Sequence, residues 1–156
     1  MPYGQPSDHV EMFCQSIIAK DPSIRFAGIA NQMGRLIATA YRRGLQPLMS
    51  TQETEHYTVQ TVLRASTRET FENKIGKQKY AIAVYEKLIR ATIPITNIVK
   101  DANEQKEKKE RHQEEEQDLK RLYLLISFNV NSDVICILED KILPDIKQFE
   151  KDLSID

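Results

Sequence analysis

The stretch from Leu122 to Phe128 constrains the fold more strongly than any other part of the chain, because six of its seven residues are apolar. A run of this length is far shorter than the ~20 residues of a membrane-spanning helix, and it is typical of a strand buried on both faces. Such a strand needs a neighbouring strand on each side and a layer of helix above and below. We therefore expect it at the centre of a sheet.

Two β-hairpins are predicted ahead of this strand. Runs of aliphatic and aromatic residues at 24–30 and 35–41 flank a turn of Asn, Gln, Met and Gly. Apolar residues alternate with small or polar ones at 80–84 and 89–95, which form the second pair of strands. Because Pro94 cannot donate a hydrogen bond to a neighbouring strand, the second of these strands should end or bulge there.

Helical periodicity predicts a first and a last helix. The first spans 7–20, with apolar residues at i, i+3, i+4, i+7 and i+8. The last begins after Asn131 or Ser132, and at Pro144 we expect a kink or a restart with the proline in the first turn of a second piece. The residues expected to be buried are Val10, Phe13, Cys14, Ile17 and Ile18 in the first helix, and Ile135, Leu138, Ile142, Ile146, Phe149 and Leu153 in the last.

A long second helix is predicted between the two hairpins. Ser50 and Glu53 form a capping box at its start, and Gly76 suits its end. Tyr57 and Ala65 lie away from the predicted inner stripe, among small or polar neighbours, so that surface carries little charge at its middle. The predicted inner stripe is Val59, Val62, Leu63, Ser66, Thr70 and Phe71.

The composition changes abruptly at 98–120, which is dominated by Glu, Lys, Gln and Asp. A segment without an apolar stripe cannot pack against a sheet, and its ion pairs at four-residue spacing contribute only ~0.2 to 0.5 kcal/mol each. We expect a solvated charged protrusion, helical or frayed, between the fourth and fifth strands. The whole chain, 1–156, is then a single domain that carries this protrusion.

These elements predict the α+β class, in the order α-β-β-α-β-β-(charged insertion)-β-α. Two hairpins and a last, very apolar strand make a five-stranded antiparallel sheet with that strand at its centre. The second helix is expected on one face, and the first and last helices on the other.

Charge and residue usage exclude several classes of function. The chain has 22 Lys and Arg against 23 Asp and Glu, so we expect no nucleic-acid partner and no anionic membrane surface as partner. The N-terminus lacks the charged and apolar regions of a secretory signal, which predicts a cytoplasmic protein.

The sequence offers no recognisable catalytic or metal-binding cluster. The three histidines and two cysteines share no metal-ligand spacing, and no glycine-rich loop leads from a strand into a helix. We therefore predict no catalytic residue, no metal and no cofactor. Cys14 and Cys136 are both expected to be small buried residues.

A partner-binding surface is predicted instead. The second helix carries Tyr57, Thr61 and Ala65 beside its inner stripe, and the third strand lacks the charges and prolines that protect an edge from pairing. A symmetric pairing of that strand with its copy would bury both features. Arg42 and Arg43 could contact a carboxylate or phosphate, although such charges more commonly guard a strand edge. The predicted partner-binding residues are Tyr57, Thr61, Ala65, Ala81, Ala83, Arg42 and Arg43.

The order of the elements resembles that of the roadblock/dynein light chain family and, more loosely, of profilin-like and PAS-like domains. The resemblance is carried by the hairpin Arg25-Phe-Ala-Gly-Ile-Ala-Asn-Gln-Met-Gly-Arg-Leu-Ile-Ala38, the long helix after it and the hairpin from Tyr80 to Ile95. It covers most of the chain, and the charged insertion departs from it. The run from Phe26 to Ile95 is also similar to small archaeal proteins, which implies no function.

The roadblock resemblance implies a homodimer formed through the second helix and the edge strand beside it, acting as a non-catalytic scaffold or as a regulator of a small GTPase. The alternative is a PAS-like sensory domain that holds a small ligand, and a third hypothesis is a hydrolase or transferase. An exposed sheet edge beside an apolar helix face would favour the first. An apolar cavity beneath the second helix would favour the sensory domain, and convergent polar groups in a cleft would favour the hydrolase or transferase.

Overall fold

The computed structural model describes residues 4–96 and 121–155. The strands are β1 (Ile24–Asn31), β2 (Leu36–Tyr41), β3 (Ala81–Val84), β4 (Ile89–Thr96) and β5 (Arg121–Phe128). The helices are α1 (Gly4–Ile18), α2 (Thr51–Arg68), α3 (Glu72–Ile75), α4 (Val134–Ile137) and α5 (Leu143–Ile155). A 3₁₀ turn at 69–71 joins α2 to α3, and a π-helical turn at 138–142 joins α4 to α5.

The strands form one antiparallel sheet in the order β2-β1-β5-β4-β3, which confirms the predicted class and the central position of the last strand. All residues of β5 from Leu122 to Phe128 are buried. Because successive side chains of a strand point to opposite faces, this strand supplies both cores of the molecule.

The two cores lie on opposite faces of the sheet, as predicted. The larger one packs α1, α4 and α5 against β1, β4 and β5, and includes Leu124 and Ile126. The smaller one packs α2 against the other face, where Val62 and Ala65 meet Tyr123 and Leu125. The second helix is therefore alone on its face of the sheet among the described elements.

The first hairpin turn docks directly on α2. Gly34 has a φ of +83°, and a Cβ at this position would lie 2.8 Å from the Cα of Val59. The side chain of Asn31 accepts hydrogen bonds from the backbone N–H groups of Met33 and Arg35, at 2.9 and 3.0 Å. Glycine is thus needed both for the turn and for the close approach of the helix.

Several local details depart from the sequence prediction. The first helix begins at Gly4 rather than at residue 7. No side chain caps α4, whose N-cap residue is Asp133 rather than Asn131 or Ser132. The prediction of a restart at Pro144 is confirmed, because α5 begins at Leu143 and places the proline in its first turn, where a missing N–H costs little.

Strand β4 passes through Pro94 without ending, contrary to the prediction. Pro94 is paired with Tyr123 of β5, whereas β3 accompanies β4 only as far as Thr92. At Pro94 the strand therefore has a neighbour on one side alone among the described residues. A proline is tolerated at such an edge position because its missing N–H does not break a ladder.

Two predicted burials at the start of the last helix are also wrong. Ile135 and Cys136 are exposed, while Val134 and Ile137 turn toward the sheet. The predicted residues Leu138, Ile142, Ile146 and Phe149 are buried, and the side chain of Leu153 lies outside the described residues. The predicted charged protrusion at 98–120 lies outside the described residues as well. Among the described helices, none is long and apolar enough to cross a membrane.

We expect Ile126→Ala to lower the free energy of unfolding by about 2 to 5 kcal/mol, because its side chain is 1% exposed at the centre of the larger core. The matched control is Ile135→Ala, which removes the same atoms from a side chain that is 57% exposed. Urea denaturation measures both. Equal losses of stability would contradict the central position of β5.

Removal of 100–119 should leave the domain folded. Thr96 and Arg121 are paired across β4 and β5, so the four residues left between them can close a hairpin of ordinary length. Shortening a loop changes its closure entropy only slowly, and a cooperative thermal transition close to that of the full chain is expected. A broad, non-cooperative transition would show that the segment belongs to the folded core.

Candidate partner-binding groove

A groove of about 220 Å³ lies between α2 and the edge strand β3. It is the place where four of the predicted partner-binding residues come together, namely Tyr57, Thr61, Ala81 and Ala83. The remaining lining residues are Arg64, Arg68, Ile82, Tyr85, Arg90 and Thr92.

The small side chains of β3 leave the floor of the groove open. Ala81 is paired with Thr92, and Ala83 with Arg90, so both alanines share the face of the sheet that α2 covers. Strand β3 is the last strand at its side of the described sheet, and its outer backbone groups have no partner strand there. The groove is therefore bordered by a helix on one side and by an unpaired sheet edge on the other.

An arginine and two tyrosines form the inner end of the groove. The guanidinium carbon of Arg90 lies 4.4 Å from the ring centroid of Tyr57, a cation–π distance. The hydroxyl oxygens of Tyr57 and Tyr85 are 2.9 Å apart and share a hydrogen bond. Burial raises the pKa of Tyr57, and the hydrogen bond with Tyr85 raises it further, so the phenol of Tyr57 is neutral at physiological pH.

The groove carries positive charge that no carboxylate in the described part of the chain balances. Arg64 and Arg68 are exposed on α2, and neither forms an ion pair with a described Asp or Glu. Arg90 is likewise without a carboxylate partner there, and its partial burial lowers its pKa. No acidic residue is among those that line the groove. The geometry therefore suits an acidic group on a binding partner.

The buried face of α2 differs from the predicted one. Val59, Leu63 and Phe71 were expected inside, yet they are 47%, 65% and 60% exposed, and the buried residues are Thr58, Thr61, Val62 and Ala65. The hydroxyl groups of Thr58 and Thr61 donate to the carbonyls of Thr54 and Tyr57. Threonines satisfied in this way can face a sheet, and the spacing of apolar residues alone does not identify them.

This rotation of the helix leaves an apolar surface outside. The exposed side chains are those of Val59 and Leu63 on α2, Phe71 and Ile75 after it, and Val84 at the end of β3. Phe71, Ile75 and Val84 are 60%, 83% and 73% exposed. Val59, Leu63 and Phe71 belong to the predicted inner stripe, so this exposed apolar surface was not predicted from the sequence.

The predicted partner-binding residues therefore divide into three groups. Tyr57, Ala81 and Ala83 are at least partly accessible in the groove. Thr61 and Ala65, at 8% and 1% exposure, face the sheet instead of the outside. The two arginines after the first hairpin lie elsewhere, at the far side of the sheet from β3.

Arg42 has a structural role that the sequence did not predict. Its guanidinium donates to the backbone carbonyls of Ile18, Asp21 and Ile24, at 2.7, 2.6 and 2.6 Å. Two of these carbonyls lie at and just beyond the end of α1, where helix carbonyls lack partners within the helix. Arg43 makes no hydrogen bond or ion pair with another described residue and is exposed.

The residues that could support catalysis are not brought together in the described part of the chain. Burial raises the pKa of the Cys14 thiol to about 12, which leaves it protonated and unreactive. His9 lies beside Phe149, and His56 contacts Gln60 on α2. Among the described residues, no group of three His, Cys, Asp or Glu side chains could hold a metal ion.

A cavity of about 570 Å³, larger than the groove, lies beside Ile95 and Arg121. Several of its charged groups already have partners. Arg121 pairs with Glu69 at 2.9 Å, and Lys79 pairs with Glu139 at 3.1 Å. This cavity is flanked by internal ion pairs, in contrast to the groove beside β3.

The structure is similar to solved structures of the roadblock-like fold. The gliding protein MglB from Thermus thermophilus superposes with a TM-score of 0.63 at 10% sequence identity, over 98% of this chain and 91% of that chain. An MglB with a tetrameric arrangement gives a TM-score of 0.62 at 10% identity, over 98% and 90%. The roadblock/LC7 domain from Streptomyces avermitilis gives 0.55 at 6% identity, over 92% of each chain.

At these sequence identities the similarity establishes the fold alone, and it confirms the roadblock-like fold predicted from the element order. No protein-family model matches the sequence, and no curated protein is significantly similar to it. The predicted similarity to archaeal proteins stays a prediction.

Replacement of Arg42 and replacement of its neighbour Arg43 should have very different effects on the stability of the protein. We expect Arg42→Ala to lower the free energy of unfolding by about 2 to 3 kcal/mol, because it removes three hydrogen bonds from a charged donor. Arg43→Ala should change it by less than about 0.5 kcal/mol, as is usual at an exposed site. Guanidinium chloride denaturation of both variants is the test, and similar midpoints would reject the structural role of Arg42.

Proposed function

We propose that this chain is a non-catalytic protein-binding scaffold or regulatory module that acts as a homodimer, with a small GTPase as the class of protein that it regulates. The observation that carries the proposal is the combination of an unpaired edge strand, a groove and an apolar helix surface on one side of the molecule. The roadblock-like fold supports the regulatory class, since the resemblance implies scaffolds and GTPase regulators.

Self-association fits this side of the molecule better than any other described surface. Strand β3 is short and contains only Ala81, Ile82, Ala83 and Val84, so no charge or proline within it opposes pairing with a second copy. Leu63 and Val59 would be covered at the same time by the helix of that copy. One of the similar structures is an MglB with a tetrameric arrangement, which supports self-association as a use of this fold.

The partner protein is expected to be acidic where it meets the groove. Arg64, Arg68 and Arg90 offer three guanidinium groups that have no carboxylate partner in the described structure. A partner carboxylate could form bidentate hydrogen bonds with any of them, and the apolar rim would exclude water around the contact. The groove thus provides both parts of a protein interface, an apolar surface and a charged anchor.

The sensory alternative is less well supported. A PAS-like domain would need an apolar cavity beneath α2, whereas the described spaces under this helix are the groove of about 220 Å³ and a cavity of about 30 Å³. Ligand pockets typically have volumes of about 300 to 1,000 Å³, which is more than either of these spaces. The groove is open to an edge and lined by arginines, which suits a macromolecular partner better than an enclosed apolar ligand.

We expect the wild-type protein to have twice the monomer mass by light scattering at micromolar concentration. Leu63→Glu should shift it to the monomer, because it places a charge on the apolar surface of α2. Met12→Glu is the matched control, since Met12 is 67% exposed on α1 and Leu63 is 65% exposed. A wild-type protein of monomer mass would reject the homodimer.

The edge itself is tested by Ala83→Lys. The lysine would lie in β3 beside the groove, where it repels Arg90 and its own copy across a two-fold axis. We expect loss of the dimer together with a small loss of monomer stability, below about 1 kcal/mol, because like charges directly opposite each other in a strand pair repel. A dimer that survives Ala83→Lys but not Leu63→Glu would reject the strand and keep the helix as the interface.

A further inference from the structure

A second, smaller cavity lies beneath the beginning of α2, on the same face of the sheet as the groove. Its volume is about 30 Å³, whereas one water-sized group needs roughly 10 to 15 Å³. Its polar side chains are those of Arg25, Arg90 and Ser127, together with Tyr41 and with Thr54 of the first turn of α2. The rest of its wall is apolar and includes Phe26 and residues of the loop 45–49. Arg90 is shared with the groove.

Ser127 supplies the first indication that this cavity has an occupant. Its side chain is 3% exposed, and its hydroxyl oxygen is buried without a hydrogen-bond partner. Ser127 is the polar residue in the otherwise apolar run of β5, where its neighbours across the sheet are Phe26 and Arg90. An unsatisfied buried hydroxyl costs about 1 to 3 kcal/mol, so a hydrogen-bond partner for Ser127 in the cavity would stabilise the folded protein.

The two arginines supply a second, independent indication. Arg25 and Arg90 both line the cavity, where burial lowers the pKa of Arg90 and the positive charge of Arg25 makes a further, smaller contribution to this lowering. Arg25 donates to the side-chain oxygen of Asn129, a neutral group. No acidic residue is among those that line the cavity. Two like charges converge here on a space that holds no compensating carboxylate from the described chain.

We propose that this cavity binds a small monovalent anion, which accepts hydrogen bonds from Ser127, Arg25 and Arg90. The volume admits a halide or a formate ion, and it is too small for sulfate, phosphate or gluconate. An anion there would satisfy the hydroxyl group of Ser127 and offset the repulsion between Arg25 and Arg90.

The test is the thermal stability of the intact protein in different sodium salts at one ionic strength. Chloride and formate should raise the Tm by about 2 to 4 °C over gluconate, which is too large for the cavity. Ser127→Ala should lose this difference. In gluconate the variant should be at least as stable as the wild type, because it removes an unsatisfied hydroxyl group.

Ser16→Ala is the control variant, since Ser16 lies on α1 at the opposite face of the sheet and should keep the full response to chloride and formate. Arg25→Gln is a second variant that removes one charge, and it should reduce the response. If chloride and formate do not stabilise the wild type more than Ser127→Ala, the site binds water and the proposal is wrong.

Discussion

The burial of β5 on both faces is the constraint on which the other parts of this structure depend. Its side chains alternate between two cores, with Leu124 and Ile126 in one and Tyr123 and Leu125 in the other. A strand of this kind has no solvent-facing side, so helices must cover both faces and other strands must cover both edges. The two hairpins provide the neighbouring strands, and the position of every helix follows from the same requirement.

The architecture could be predicted from the sequence because it depends on this apolar run, on the two hairpins and on the capping box of Ser50 and Glu53, which is present in the structure. The orientation of α2 about its own axis could not be predicted. Its inner stripe was predicted from the spacing of apolar residues, whereas in the structure two threonines face the sheet and Leu63 faces outward. The prediction that β4 ends at Pro94 was wrong for a related reason. A missing N–H breaks a ladder only where a neighbouring strand is long enough to pair with it, and β3 stops short of Pro94.

The candidate site shows the same division between what a sequence reveals and what only a fold can. Ala81 and Ala83 were identifiable as residues of an unprotected edge, and the structure places them in a groove with Tyr57. Arg42 and Arg90 could not be told apart by sequence, because both follow or lie in strands. Arg42 binds backbone carbonyls at the end of α1, whereas Arg90 stacks on an aromatic ring and has no carboxylate partner among the described residues. Only the contacts separate a structural arginine from one that is available to a ligand.

The two edges of the sheet differ in a way that bears on how copies of the chain can meet. Strand β2 is flanked by the exposed charges of Arg35 and Arg43, and its pairing with β1 is interrupted by a register shift after Ile29. Charges and irregularities of this kind discourage the addition of a further strand. Strand β3 is also flanked by exposed charges, at Lys79 and Glu86, but its pairing with β4 has no register shift. A sheet with two open edges could extend without limit, but one with a single open edge is closed once two copies have paired, because the outer strands of the pair are then both β2. Assembly beyond two copies would therefore need a surface other than the sheet edge.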